Sequence, residues 1–446
     1  MTGTMVQATY HFPDGFLWGA ATAAHQVEGG NDNNNWARWE AESGRILNGD
    51  RSGAACDWWR GRWKEDLDRA AETGQNAHRL SIEWSRVQPA PDRWDEDALD
   101  HYREIIRGMH ARGLTPMVTL HHFTDPLWFY DQGGWEQETA PALFEQFVQR
   151  TVEALKEMVS LWVTVNEPNV YVLSGYMGTD FPPGKGDTNA AFAVMCNLIR
   201  GHAAAYRAIK RVQKNSSVGF ALNYRSLKPA TASPIDHALA KFAHDSYNDS
   251  FARALKTGVL RFAAKRAAIP EAVGTQDYVG VNYYTRDLVR FAPLAPKDMF
   301  MKRAFPPGVE ISPTGFIANV PEGMFEALRW ARQFDLPIYV TENGVEDLTD
   351  ELRPRYLVEH LHQVWRAVNF TYPVRGYFHW SLVDNFEWER GWSQRFGLWG
   401  LDVQTQARIR RRSVDLYAEI CQQNAISSEM VQRYAPGSFS RLFPEN

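Results

Sequence analysis

Two stretches, LWVTVNEPN (161–169) and PIYVTENG (337–344), decide how this chain is read. Each is a short apolar, β-branched run that stops at polar residues, with a glutamate at its end and a turn former behind it. The glutamates are Glu167, before Pro168, and Glu342, before Asn343-Gly344. A run that is apolar at successive positions has no face to give to water, so it reads as a strand buried on both sides. Six more runs share the pattern, at 16–22, 76–82, 115–121, 218–223, 278–284 and 376–381. Between them lie amphipathic patterns. Leu99, Tyr102, Ile105, Ile106 and Met109 recur at helical spacing, and Met324, Phe325, Leu328 and Ala331 repeat it.

Eight strand–helix units with no dividing linker predict α/β architecture, a single (β/α)₈ TIM barrel spanning 1–446. Its core should cover about 10–420, with the C-terminal tail packed on it. An open doubly wound sheet is the alternative. That fold wants G-x-G-x-x-G after the first strand, and GAATAAHQVEGG (19–30) offers none. The nearest phosphate-loop lookalike, Gly178 to Lys185, has one residue too many between its glycines and no Ser or Thr after Lys185.

In a barrel the C-terminal strand ends form the active-site face. Polar residues gather there: His78-Arg79, His121-His122, Asn166-Glu167, Asn223, Asn282-Tyr283-Tyr284, Glu342-Asn343 and His379-Trp380. One such residue could be a cap; seven strand ends out of eight imply a built cleft. Residues 23–60 and 285–321, the latter with six prolines, are the longest connections and should wall its mouth. Two carboxylates facing one cleft can divide acid/base and nucleophilic work. For a glycosidic bond that pairing is the usual chemistry.

Composition excludes several other classes. The net charge of −5 leaves no basic excess for a nucleic-acid backbone. No apolar run approaches a membrane span. Cys56, Cys196 and Cys421 are scattered, without the spacing of a disulfide framework or a zinc site. The N-terminal MTGTMVQATYHFPDG shows no secretory leader, so the cytoplasm is the expected compartment and the sequons at Asn215, Asn248 and Asn369 read as chance. Aromatic residues make up 13% of the chain, including 17 Trp, enough to fill a core and also to line a sugar pocket.

The ordered motifs resemble glycoside hydrolase family 1, the retaining β-glycosidases. FLWGAATAAHQVEG (16–29) is similar to the family's N-terminal signature, TVNEPN (164–169) to its acid/base motif and IYVTENG (338–344) to its nucleophile motif. HRLSIEWSR (78–86), TLHHFTDP (119–126), GYMGTDFPPG (175–184), GVNYYT (280–285) and SLVDNFEWERGWSQRFGL (381–398) continue the likeness in order. The resemblance implies that Glu342 is the nucleophile and Glu167 the acid/base, with Arg79 and Tyr284 holding Glu342 ionised. It places Gln26, His122, Asn166, Asn282, Glu387 and Trp388 on the sugar, with Trp380 as the platform beneath it. The adjacent His121 is expected to turn into the core, and His360 and His362 read as helix-surface residues. A retaining pair should stand roughly 5–5.5 Å apart.

Departures from the family pattern carry information too. Phe123 follows the sugar-binding His where Trp is common, and Phe316 or Ile317 lies where a leaving-group Trp is usual. Glu387-Trp388 replaces the phosphate ligands of the 6-phospho branch, so an unphosphorylated sugar is expected. The implied partner is a small-molecule or oligosaccharide β-glycoside, with glucose first and galactose or fucose beside it. No cofactor or metal is implied. A transglycosylase would use the same intermediate, and a non-catalytic sugar-binding barrel would be marked by loss of one Glu, whereas both are present. Whether the protein is a monomer or a homo-oligomer is not set by these motifs.

Overall fold

The computed structural model describes residues 7–295 and 299–444; residues 1–6, at the head of the N-terminal stretch, and 296–298, inside the second long connection, lie outside it. Eight strands form the centre: β1 (Leu17–Ala21), β2 (Ala77–Ser81), β3 (Thr115–Thr119), β4 (Leu161–Asn166), β5 (Ser217–Pro229), β6 (Tyr278–Phe291), β7 (Ile338–Asn343) and β8 (Val374–Trp380). Each pairs in parallel with the next in sequence, and β8 pairs with β1, so the ring closes. This is a (β/α)₈ TIM barrel, and closure leaves the central sheet no free edge between β8 and β1.

The barrel interior is packed, with small and large side chains alternating: Ala21, Ala77, Met117, Leu161, Val163, Tyr278 and Phe378 are all buried there. The opposite strand faces carry Trp18, Val118, Trp162, Val218 and Val279 into the layer beneath the helices. The helix Glu96–His110 shows how sequence sets that layer. The Asp95 carboxylate accepts from the Ala98 amide (2.9 Å) and starts the helix. Leu99, Tyr102, Ile105, Ile106 and Met109 then form the buried stripe that their spacing predicts.

Two expectations need correction. Residues 285–321 were expected to form an open connection, yet β6 runs on to Phe291 and pairs antiparallel with the strand Met301–Ala304. Charged residues hid the strand: Arg286, Asp287 and Arg290 interrupt its apolar pattern, and Asp287 is nevertheless buried because Arg225 clasps it (2.5 and 3.0 Å). His360 was read as a surface residue and is fully buried, its Nδ1 on the Tyr356 carbonyl (2.7 Å) and its ring stacked on Tyr356. The helix Arg353–Asn369 is packed on more of its circumference than a single stripe, which its mixed composition conceals.

Buried ion pairs join the end of the chain to its beginning. Arg408, just before the last barrel helix (Arg412–Gln423), is paired at 2.7 Å with Asp66 of the first (Trp63–Glu72), both side chains essentially without solvent. Asp66 also accepts from the Trp58 indole (2.8 Å) and from Arg69 (2.9 Å). The short strand Thr9–His11 pairs with Ala425–Ser427, and Tyr10 stacks on Phe443. Among the described residues no helix is long and apolar enough to cross a membrane.

Removing one partner of a buried pair leaves an uncompensated charge. Asp66→Ala should therefore lower the unfolding free energy by about 3–5 kcal/mol, read from denaturant midpoints at unchanged slope. A loss below about 1 kcal/mol would show that this contact counts for no more than a surface pair.

Candidate active site

Strand ends deliver the predicted side chains to one place. Arg79 leaves β2, Asn166 and Glu167 leave β4, Asn282 and Tyr284 lie on β6, Glu342 on β7 and Trp380 on β8. Arg79 is fully buried. Its Nη1 donates to Glu342 Oε1 (2.6 Å) and the Thr341 carbonyl (3.1 Å), its Nη2 to Asn166 Oδ1 (2.7 Å) and its Nε to Thr119 Oγ1 (3.1 Å). The Tyr284 hydroxyl donates to the other oxygen of Glu342 (2.7 Å). Glu167 accepts from the Asn282 amide (2.7 Å) and the Asn223 amide (3.0 Å), both on Oε1. Asn282 is itself oriented by Thr341, whose hydroxyl donates to its Oδ1 (2.6 Å).

The two carboxyls stand in different electrostatic situations. Burial, followed by the charge of Glu342, raises Glu167 to about 8, against the lowering pull of the two amides and Arg79. Burial also raises Glu342, but the Arg79 charge and the hydrogen bonds from Tyr284 and Arg79 oppose it. A guanidinium in direct contact stabilises only the ionised form. Of the two carboxyls Glu167 is therefore the one that favours the proton, and Arg79 stands where it matches a charge on Glu342.

The remaining predicted residues line or buttress the same cavity of about 890 Å³. His122, Asn166, Trp380, Glu387 and Trp388 are in its wall with the two carboxyls and Tyr284. Arg79 and Asn282 stand one layer behind, and Gln26 abuts Glu387 of the wall. Asn166 accepts from Arg79 and Asn282 (3.2 Å), so its amide nitrogen faces His122 Nε2 (3.0 Å). Burial and the nearby Arg79 keep His122 well below its ordinary value, hence neutral. Gln26 donates to the Phe386 carbonyl (2.7 Å) and reaches Glu387 (3.4 Å), while its Oε1 is buried with no partner. Burial, and then the charges of Glu389 and Glu342, push Glu387 well above the usual carboxylate range. Unmatched polar groups around an aromatic floor suit a ligand that presents hydroxyls. His121 turns away, its Nε2 on Asp125 (3.0 Å) inside a cage of Trp135, Phe144 and Tyr171.

Several contributors escaped sequence reading. Asn223 lies on β5 beside Asn282 on β6; the sequence places it among the polar residues of the cleft but gives it no role. Tyr247, whose hydroxyl donates to Asn223 Oδ1 (2.9 Å), lies in the connection after β5 and gives no pattern. Phe123, Glu167 and Trp388 all hold left-handed backbone (φ 70°, 45° and 47°) and all line the cavity. Such conformations cost about 1–3 kcal/mol at a non-glycine residue and concentrate at functional sites. Gly344 explains the turn after Glu342: a Cβ there would lie 1.9 Å from the Trp380 carbonyl, so only glycine lets the ends of β7 and β8 meet.

A barrel with a buried carboxyl pair at its strand ends defines a class, the barrel glycosidases, and the comparisons place the chain within it. The model of glycosyl hydrolase family 1 matches residues 8–426. Beta-glucosidase A of Thermotoga maritima is 34% identical, covering 93% of this chain and 98% of the relative. A beta-galactosidase of Saccharolobus solfataricus is 32% identical, over 94% and 97%. Among solved structures, a beta-glycosidase from Pyrococcus horikoshii superposes with a TM-score of 0.89 at 38% identity, over 96% of this chain and 98% of that one. A Thermotoga maritima beta-glucosidase in complex with glucoimidazole also gives 0.89, at 32% identity over 94% of this chain and 100% of that one. The chain belongs to glycosyl hydrolase family 1 and is a glycosidase.

The proton on Glu167 has a consequence for stability. The folded protein holds it up to about pH 8, whereas the unfolded chain releases it near the ordinary 4.5. Stability due to this group is therefore complete below that lower value and is lost as pH rises through about 8. Glu167→Gln removes the titration, so its gain in Tm over wild type should be small near pH 4.5 and grow towards pH 8. Differential scanning calorimetry across that range would refute the assignment if the gain were independent of pH.

Proposed function

We propose that the protein hydrolyses terminal non-reducing β-D-glucosyl residues, with β-galactosyl and β-fucosyl residues as further substrates, by two displacements at the anomeric carbon. Glu342 attacks that carbon and forms a glycosyl ester while Glu167 protonates the departing oxygen; Glu167 then takes a proton from water as the ester is cleaved. The observation that carries this reading is the unequal pair: Glu342 contacted by the Arg79 guanidinium and the Tyr284 hydroxyl, and Glu167 contacted only by neutral amides.

Each residue has work to do in that sequence. Esterification neutralises Glu342, which removes the negative neighbour that helps raise Glu167, so the acid of the first step becomes the base of the second. The Asn282 amide donates to both Glu167 and Asn166 and so orients the acid/base beside a sugar-binding residue. The two displacements require a retaining pair, with carboxyls roughly 5–5.5 Å apart rather than the roughly 6.5–9.5 Å of an inverting one. Asn166, His122, Gln26, Glu387 and Trp388 hold the sugar hydroxyls over the Trp380 indole. The whole chain acts as one catalytic domain, and two carboxyls with bound substrate supply the chemistry without an added group. All three cysteines are buried thiols, in keeping with a reducing cytoplasm.

Glu342→Ala should abolish turnover of nitrophenyl β-glucoside, and azide should restore it with the inverted α-glucosyl azide as product. Recovery of the β-azide, or undiminished turnover without azide, would exclude Glu342 as nucleophile. In wild type, kcat/KM should fall as pH rises past about 8, where Glu167 loses its proton. Glu167→Ala should slow alkyl glucosides by about 10²–10⁴-fold and lose that basic limb; a limb that persists in the variant belongs to another group.

A further inference from the structure

Glu167 is held from one side. Two amides from neighbouring strands reach it, Asn282 Nδ2 on β6 (2.7 Å) and Asn223 Nδ2 on β5 (3.0 Å), and both donate to Oε1. An oxygen that accepts two N–H bonds is the poorer place for a proton, so the proton belongs on Oε2. Among the described residues no donor bonds Oε2, which leaves that oxygen to the substrate. An amide serves in this way only if its nitrogen, not its oxygen, faces the carboxyl. In each case a hydroxyl settles the choice by donating to the amide oxygen: Thr341 to Asn282 Oδ1 (2.6 Å) and Tyr247 to Asn223 Oδ1 (2.9 Å).

The two hydroxyls differ in origin. Thr341 belongs to β7 and is fixed by the barrel itself. Tyr247 lies outside the barrel, on the π-helical turn Asp245–Asp249, and such turns recur at functional sites. Side chains pin this turn to β5. Asn248 accepts from the Arg225 amide (3.0 Å) and donates to the Arg225 carbonyl (2.9 Å). Asn169 donates to the carbonyls of both Asn223 (2.8 Å) and Tyr247 (3.1 Å). Burial keeps the Tyr247 phenol above its ordinary value, so it remains a donor wherever Glu167 titrates.

We infer that Tyr247 is a positioning residue for the acid/base: its hydroxyl fixes the Asn223 amide, which directs the Glu167 proton to Oε2, the oxygen that meets the departing group and then the water. This rests on the assignment of Glu167 made above. The Asn223 amide favours the ionised form of Glu167, so its loss raises the carboxyl further. The charged and titratable groups that also act on Glu167 are Glu342 on β7, Arg79 on β2, Tyr284 on β6 and Glu387 after β8. The Tyr247 hydroxyl bonds Asn223 and none of these, so Tyr247→Phe leaves them in place.

The test is the titration of Glu167 in wild type, Tyr247→Phe, Asn223→Ala and the double variant. Without substrate it is followed as the protonated-carboxyl band in infrared difference spectra against the same protein carrying Glu167→Gln. In turnover it is followed as the basic limb of kcat/KM for methyl β-glucoside. Asn223→Ala should move both readings up by about 0.5–1 pH unit, the weight of one amide hydrogen bond, and Tyr247→Phe by about half of that or more. The double variant should move them no further than Asn223→Ala alone, because Tyr247 acts only through that amide. An unmoved infrared titration in Tyr247→Phe, or a shift that adds in full to that of Asn223→Ala, would overturn the proposal. An infrared shift with an unmoved kinetic limb upholds the positioning and shows that Glu167 is not the acid of the reaction. Tyr247→Phe keeps the ring, so a loss of packing is not what these readings report.

Discussion

Arg79 carries a positive charge at a position without solvent, in the middle of the barrel's C-terminal end. Burying an ion costs several kcal/mol unless its charge and its donors are matched. The structure meets that demand by bringing together Thr119 from β3, Asn166 from β4, and Thr341 with Glu342 from β7. A residue from β2 thus fixes the ends of three other strands. The constraint works in both directions: the guanidinium can be buried because Glu342 is there, and Glu342 can stay charged because the guanidinium is there.

The inequality of the two glutamates follows from that fixed pair. Both are equally buried, and burial alone would raise both. Only one has a cation in direct contact. Glu167 has amides instead, which orient it and moderate its shift without supplying charge, so the field of Glu342 adds to its desolvation. Strained backbone belongs to the same design. Glu167, Phe123 and Trp388 are held left-handed where they meet the cavity, and the surrounding hydrogen bonds and aromatic packing oppose their relaxation.

The outer cavity obeys a different rule. It is made by the extensions of β5 and β6 and by the connections after β4 and β5, none of which close the barrel. These elements can vary in chemistry without disturbing Arg79, because none of their side chains is among its hydrogen-bond partners. The same independence explains why motifs reveal the residues around the carboxyl pair and say little about the outer cavity.

The eight strands were legible in the sequence because a strand buried on both faces has nowhere to place a polar residue until it ends, and the polar residue that ends it is then exposed to the cleft. Glu167, Glu342, Arg79, Asn166, Asn282, Tyr284 and Trp380 were found by that logic together with the family motifs. Tertiary structure alone decided the rest. It buried His360 on a helix whose composition suggested a surface, continued β6 past its charged residues by pairing Asp287 with Arg225, and brought Tyr247 to Asn223. It also set which glutamate keeps its proton, because that depends on a few ångströms between groups far apart in sequence: Arg79 and Glu342 are 263 residues apart along the chain and 2.6 Å apart in the fold. Local pattern encodes where a side chain leaves the core; only the closed barrel fixes what it meets when it gets there.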